Sequence, residues 1–420
     1  LKHAVTLALL AGLLAAGTGC QMLRPLPPSE PDGPESGACG VEYAYTTVAI
    51  DLCGDSICYR FDWGDGGRGD WGKLLPSGEP VTAAHAWSRP GKFDVRAQAR
   101  DQFGFTSDWS PARPVAIHGR EGYPDTVIAV LDGGSDPVGI ACAPSGEFIY
   151  VAARGDDEVR VYRTSDNSLV CRIPVGDRPN CICTLPDGDR AYVGNAASND
   201  VSVIRLADNT VIATVPVGRF PGYCCALPNG DYVYVTNYGG GTVSVIRTSD
   251  NAVVATVPVD PVPWGICPNI DGSRVYVGGS GTNRLTIIRT DDNIVAGRIT
   301  VHNGPEGMSL SPDGTRLWVA CRNSSVGSID VVRLADGAVE TSLPIPGYVV
   351  NVIPLPGGEY YYYACHEGAR VGVVSDLTRT VVWHSVVASG PCYMAARPDG
   401  ERVYVCSNYT GKIVVIGRRG

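Results

Sequence analysis

Residues 234–260, YVTNYGGGTVSVIRTSDNAVVATVPVD, restate residues 192–218, YVGNAASNDVSVIRLADNTVIATVPVG, after a step of 42. The same aromatic position recurs at Tyr150, Tyr192, Tyr234, Tyr276, Trp318, Tyr362 and Tyr404, in steps of 42, 42, 42, 42, 44 and 42. A fixed period of this kind means one supersecondary unit used repeatedly, each copy burying its apolar face against the next. In the copy around Tyr234, four short runs follow one another: GYCCAL, DYVYVTN, TVSVIRT and AVVATVPV, with PNG and SDN among the turns between them. Alternation with period two, broken by tight Asn, Asp and Gly turns, is the pattern of antiparallel hairpins. With 52 glycines, 31 prolines and only 18% charged residues, the composition suits a turn-rich β protein.

Seven copies of four strands predict an all-β chain whose residues 123–420 form a seven-bladed β-propeller. Pro174, Pro216, Pro258 and Pro344 share one place in the fourth strand. Proline cannot donate to a ladder, so that strand belongs at the outer edge of each blade, where it also discourages edge-to-edge association. The last copy ends at KIVVIGRRG and lacks a fourth strand, while DTVIAVLDGG at 125–134 matches DNTVIATVPVG. A strand at 125–131 is therefore expected to complete the last blade. The tetrapeptide YVTN at 234–237 resembles the YVTN family of propeller repeats, found in exported and surface-layer proteins of bacteria and archaea. That resemblance covers residues 123–420 and implies the fold; propellers host unrelated activities, so it implies little chemistry.

Three segments precede the repeats. Residues 1–19 read as a signal peptide: Lys2 opens a basic start, an apolar run extends from Ala4 to Ala16, and small residues follow. The run is too short to cross a hydrocarbon core of about 30 Å. With Gly19 before Cys20, the segment resembles a bacterial lipoprotein signal, which implies lipidation of Cys20 and anchorage at the cell envelope. An ordinary secretory signal cut nearby is the alternative. Residues 20–38 are proline-rich and read as an extended linker with nothing to bury. Residues 39–118 hold YRFDWGDG, AAHAWSRPGKFDVRAQARD and FGFTSDWSPARPVAI, short strands broken by turns, as in a small β-sandwich. Asp62-Trp63-Gly64-Asp65-Gly66, His85-Ala86-Trp87 and Gly91-Lys92-Phe93 resemble the PKD domain, an immunoglobulin-like module of extracellular proteins.

Net charge is −9 and no basic run occurs, which removes nucleic acid as a partner. Asp62, Asp65 and Asp70 have the oxygen chemistry of a calcium site, but turn capping explains them more simply. His85 reads as a packed strand residue. Among the cysteines, Cys53 and Cys58 form the most plausible local disulfide. Cys183, Cys225 and Cys267 share one first-strand position filled by Ala141 and Ala395 in other copies, which marks core packing. Cys224 and Cys225 point to opposite faces of their strand. Arg163, Arg205, Arg247, Arg289 and Arg333 recur near Asp166, Asp208, Asp250, Asp292 and Asp336 as one ion pair per blade.

The departures from the repeat carry the site expectation. Loops between strands four and one, and between strands two and three, share the top of the ring. The 44-residue step places two extra residues in CRNSSVGS, a top loop opened by Cys321 and Arg322. Cys365 and His366 hold the equivalent place one copy later, and His302 and Glu306 lie just before. This sector is the candidate ligand face. No catalytic motif, haem-attachment sequence or phosphate loop is present, and no metal or cofactor is expected. The expected function is a cell-envelope binding or scaffold protein whose propeller top binds a protein or glycan, with the membrane reached only through the lipid anchor. A lactonase- or lyase-like propeller enzyme is the alternative, and a purely structural surface-layer role the third reading.

Overall fold

In the computed structural model, which describes residues 23–38, 41–66, 68–87, 91–118, 123–323 and 326–418, every regular element is a β-strand except a 3₁₀ turn at Asn408–Thr410. The signal segment and Cys20 lie outside the described residues. The chain divides into two units, Leu1–Arg120 and Glu121–Gly420.

The first unit holds a four-stranded sheet, in the order Ser36–Ala38, Arg113–His118, Gly91–Asp101 and Ile57–Asp62, and a pair, Glu42–Thr47 with Val81–Ala86. Tyr45, Phe61, Trp63, Trp87, Phe93, Val95 and Val115 form its core. Arg100 lies over Trp71 at 4.4 Å, Arg60 over Trp71 and Trp109, and Arg68 over Trp109, an alternating cation–π stack. Asp62 and Asp65 are occupied locally. Asp62 Oδ1 accepts the Gly64 amide at 3.1 Å and its Oδ2 pairs with Arg68, while Asp65 meets His85 Nε2 at 2.7 Å. His85 stacks on Trp63 as a packed strand residue.

Two expectations for this unit are corrected. Residues 23–38 of the proline-rich tract are not a free linker. The amides of Leu26, Ser29 and Asp32 donate to the carbonyls of Ile50, Val48 and Thr46, and Pro25, Pro28 and Pro31 are buried. A polyproline helix repeats every three residues, so a proline every third place builds one buried face and leaves the intervening amides free to bond. The Cys53–Cys58 bridge is also not formed. Cys58 is a free thiol, 3% exposed, fixed in the ladder opposite Arg100. Cys53 is disulfide-bonded to a partner outside the described residues.

The second unit contains, among the described residues, seven four-stranded antiparallel sheets. They span 137–174 (sheet 1), 179–216, 221–258, 263–300, 305–346 (sheet 5), 349–386, and 391–417 with Thr126–Asp132 (sheet 7). First strands pack on the first strands of neighbouring sheets, and Pro391–Ala396 packs on Pro137–Cys142, which closes the series. This is a β-propeller. Thr126–Asp132 supplies the outer strand of sheet 7, pairing Lys412 with Asp132 and Gly417 with Thr126. Pro174, Pro216 and Pro258 end outer strands.

Turn chemistry locks sheet to sheet. Asn167, Asn209, Asn251 and Asn293 take φ of 56–61°, a left-handed conformation that Asn tolerates, and their side chains receive the repeated tyrosine of the preceding sheet. Tyr150 bonds Asn209, Tyr192 bonds Asn251, Tyr234 bonds Asn293, and Tyr404 bonds Asn167 across the closure. The five Arg–Asp pairs form as expected on the turns. Cys224 and Cys225 enter different inter-sheet cores, and Cys183 and Cys267 also pack in cores.

The irregular step is absorbed differently from expectation. Sheet 5 lengthens its last two strands, Val326–Arg333 and Ala338–Pro346, so that Val326 pairs with Pro346. Only Gly347 and Tyr348 then connect to the next strand, Val349–Pro354.

Candidate functional site

Each first strand starts at the top of the ring, so its second and third residues border the central channel. The third place is Gly139, Gly265 and Gly307 in three sheets. A Cβ on Gly265 would lie 1.7 Å from the Glu306 carbonyl oxygen, so neighbouring strands there touch through backbone. Tyr223 and Tyr393 take the same place in sheets 3 and 7. Their rings meet at 5.2 Å, and Trp264 Nε1 from sheet 4 donates to the Tyr393 hydroxyl. Two aromatic side chains from the adjacent sheets 3 and 4 and one from sheet 7 therefore meet in the channel. Burial pushes both tyrosine phenols up, keeping them neutral. Tyr238 stands edge-on to Trp264 at 5.0 Å, and Phe220 lies beside Tyr238, extending the aromatic row outward.

Glu306 occupies the second place in Pro305–Leu310 and is 5% exposed. Its Oε1 accepts Arg322 Nη1 at 2.6 Å and the Tyr348 hydroxyl at 3.1 Å. Arg322 also bonds Tyr348 and lies 5.2 Å from its ring centre. Burial raises the Glu306 carboxyl above the usual range, against the pull of Arg322. The two-residue link that sheet 5 leaves is what brings Tyr348 over this pair. His366 follows, 6.1 Å from the Tyr348 ring and 4.8 Å from the Tyr409 ring. Burial lowers its pKa, partly opposed by Asn408, so the imidazole is neutral at pH 7.

His302 belongs to a separate cluster in sheet 5. Asp330, fully buried, receives the His302 amide at 2.8 Å, His302 Nδ1 at 2.9 Å, and the Ser342 hydroxyl at 2.7 Å. Other sheets carry Ser202, Ser244 or Thr286 at the Asp330 position. The His302 side chain is 62% exposed, so an acid holds one ring nitrogen and leaves the other edge to solvent.

Of the six expected residues, Glu306, Arg322 and His366 join one site and His302 lies apart with Asp330. Cys321 and Cys365 do not contribute. Both end strands rather than opening loops, both are buried, and burial pushes both thiols up. Tyr348, Trp264, Tyr393 and Tyr409 were not foreseen. The readable signal was the replacement of glycine by Tyr223 and Tyr393 in an otherwise small position.

A cavity of about 560 Å³ opens between sheets 5 and 6 on the turn side, beside Asp313, Arg316, Tyr361 and Asp376. Here Trp318 replaces the latching tyrosine and stacks on Tyr361, while Arg379 stands at the asparagine place.

Comparison with known proteins supports the fold more than the chemistry. A family model described as lactonase, 7-bladed beta-propeller, matches residues 124–213. None of the site residues, which run from Phe220 to Tyr409, falls inside that match. No curated protein matches the chain. A chain of Kuenenia stuttgartiensis hydrazine synthase superposes with a TM-score of 0.63 at 18% identity, covering 71% of this chain and 98% of that one.

Proposed function

We propose that this is an exported cell-envelope protein, anchored through a lipid on Cys20, in which a PKD-like immunoglobulin-type domain precedes a seven-bladed propeller of YVTN type, and that the channel mouth binds a glycan. One observation carries the binding reading: two aromatic groups, Phe220–Tyr238–Trp264 and Tyr348–His366–Tyr409, flank the Glu306–Arg322 pair. Tyr238 is 38% and Tyr409 71% exposed. Ring faces suit the C–H faces of sugars, and a carboxylate with a guanidinium suits hydroxyls and acidic substituents. The test is tryptophan fluorescence and calorimetry of the full chain against oligosaccharides from bacterial envelope glycans. Binding that falls at least about tenfold, or 1.4 kcal/mol, in Trp264→Ala and Arg322→Ala but not in Arg205→Ala is expected. Equal loss in all three, or no binding, rejects the glycan reading.

The enzyme reading draws on the lactonase-type match and on the Asp330–His302 arrangement, in which a buried acid orients an imidazole as in general-base pairs. Hydrolysis of sugar lactones, followed by acid release and abolished in His302→Ala or Glu306→Gln, would favour it.

A further inference from the structure

The first unit contains a group of acids that none of the preceding chemistry uses. Asp51 and Asp101 are each 3% exposed, and each follows by two residues an alanine, Ala49 or Ala99, of the small core around Ile57 and Tyr59. One oxygen of each acid caps its own loop. Asp51 Oδ1 accepts the amides of Cys53 at 2.8 Å and Asp55 at 3.2 Å, and Asp101 Oδ1 those of Phe103 at 2.9 Å and Phe105 at 2.8 Å. Asp55 Oδ1 accepts Gln102 Nε2 at 3.1 Å. The other oxygens, Oδ2 of Asp51, Asp55 and Asp101, are shut from solvent and have no hydrogen-bond partner. The ion pairs of this unit, among the described residues, engage other acids: Glu30, Glu35, Asp62, Asp65, Asp94 and Asp108.

Three buried carboxylate oxygens without donor or counter-charge are costly unless something cationic joins them. Asp51, Cys53 and Asp55 present ligand atoms within 4.8 Å of one another. Two oxygens on one calcium ion, each at about 2.3–2.6 Å, stand up to about 5 Å apart, so a single ion reaches both acids as they lie. Gln102 draws the Asp101 loop alongside, its amide donating to the Ser56 carbonyl at 3.0 Å and its side chain to Asp55. The sulfur of Cys53 is consumed in a disulfide and offers no thiolate. What remains is an all-oxygen set, which selects a hard cation over zinc or copper. We propose that Asp51 and Asp55 form a calcium site on the 51–56 loop, which Gln102 ties to the 101–105 loop.

The test uses residues 21–420, stripped with chelator and titrated with calcium chloride by calorimetry, with thermal melts run in parallel. One ion per chain is expected, with a Kd of about 10⁻⁴–10⁻³ M, the range of extracellular calcium modules, and a higher unfolding midpoint with calcium than with chelator. Asp51→Asn and Asp55→Asn should each weaken binding about tenfold or more, since each removes one of few charged ligands. Asp55 is only partly buried and its amide variant keeps an oxygen for Gln102, so Asp55→Asn decides the matter if Asp51→Asn fails to fold. No heat and no shift at about ten times that Kd range, or undiminished binding by folded Asp55→Asn, overturns the site.

Discussion

A single carboxylate sets the electrostatics of the channel mouth. Glu306 is buried, its pKa is raised by that burial, and Arg322 is the counter-charge that makes its ionisation tolerable. A carboxyl raised in the folded state contributes stability that is present below its unfolded pKa and lost as pH rises through the folded value. Removing the guanidinium pushes the carboxyl further up and leaves an unpaired charge above that point. Arg322→Ala should therefore cost little near pH 4, where Glu306 is protonated, and about 1–3 kcal/mol near pH 8, the penalty for an unsatisfied buried acceptor. The lower half of that range is expected, because the Arg322 side chain is 42% exposed and water screens the pair. Chemical denaturation at the two pH values measures this. Adding Glu306→Gln to the same chain should remove the pH dependence, and a loss that is equal at both pH values would mean that packing rather than charge is at stake.

Closure of the ring depends on an element 280 residues away in sequence from the strand it joins, and its electrostatic tie is Arg160. Thr126–Asp132 pairs with Lys412–Gly417, and Asp132 reaches Arg160 Nη1 at 2.7 Å. The same guanidinium holds Asp156 and Glu158, and its side chain is 7% exposed. The acids left behind are partly solvated, Asp132 at 66% and Asp156 at 31% exposed, so what is lost is charge-assisted hydrogen bonding to one buried guanidinium, about 1.5–3 kcal/mol. Arg160→Ala should thus lower stability by that order, while Arg205→Ala on an exposed turn should leave the unfolding curve unchanged; urea unfolding of both variants is the check. Elements of this kind were readable, because the period, the outer-strand prolines and the match of 125–134 to a fourth strand are all written locally. The proline tract was misread because composition alone does not reveal that Pro25, Pro28 and Pro31 fall on one face. Cys321 and Cys365 were misread for a similar reason: the last residue of a strand looks like the first of a loop. Glu306, Arg322 and His366 were legible as departures from the repeat. The aromatic fill was not, since Tyr223, Trp264 and Tyr393 meet only when the ring closes and copies 129 or more residues apart face one another.

At the scale of the whole molecule, twelve cysteines among the described residues are free thiols. Under the export proposed above, that number invites mispaired disulfides, and the fold answers by burial rather than pairing. Desolvation disfavours the thiolate, the reactive form, and pushes Cys142, Cys267 and Cys392 up to about 12. Cys224, Cys225, Cys321 and Cys406 are raised well above the ordinary thiol by the same cause, with the neighbouring thiols Cys181 and Cys183 leading it for Cys224. At pH 8 a thiol of pKa about 12 is ionised to only about one part in ten thousand. The inter-sheet cores also deny reagents access, so protection should last as long as the ring stays closed. Native protein held with iodoacetamide at pH 8 should leave these seven thiols unmodified by peptide mass spectrometry, and the same treatment in denaturant should modify all of them. Arg160→Ala, by loosening the closing strand, should release Cys392 and Cys406 of sheet 7 before Cys224 and Cys225 of sheet 3. Uniform release would mean that the ring opens all at once, and rapid labelling of the native protein would mean that burial does not protect the thiols.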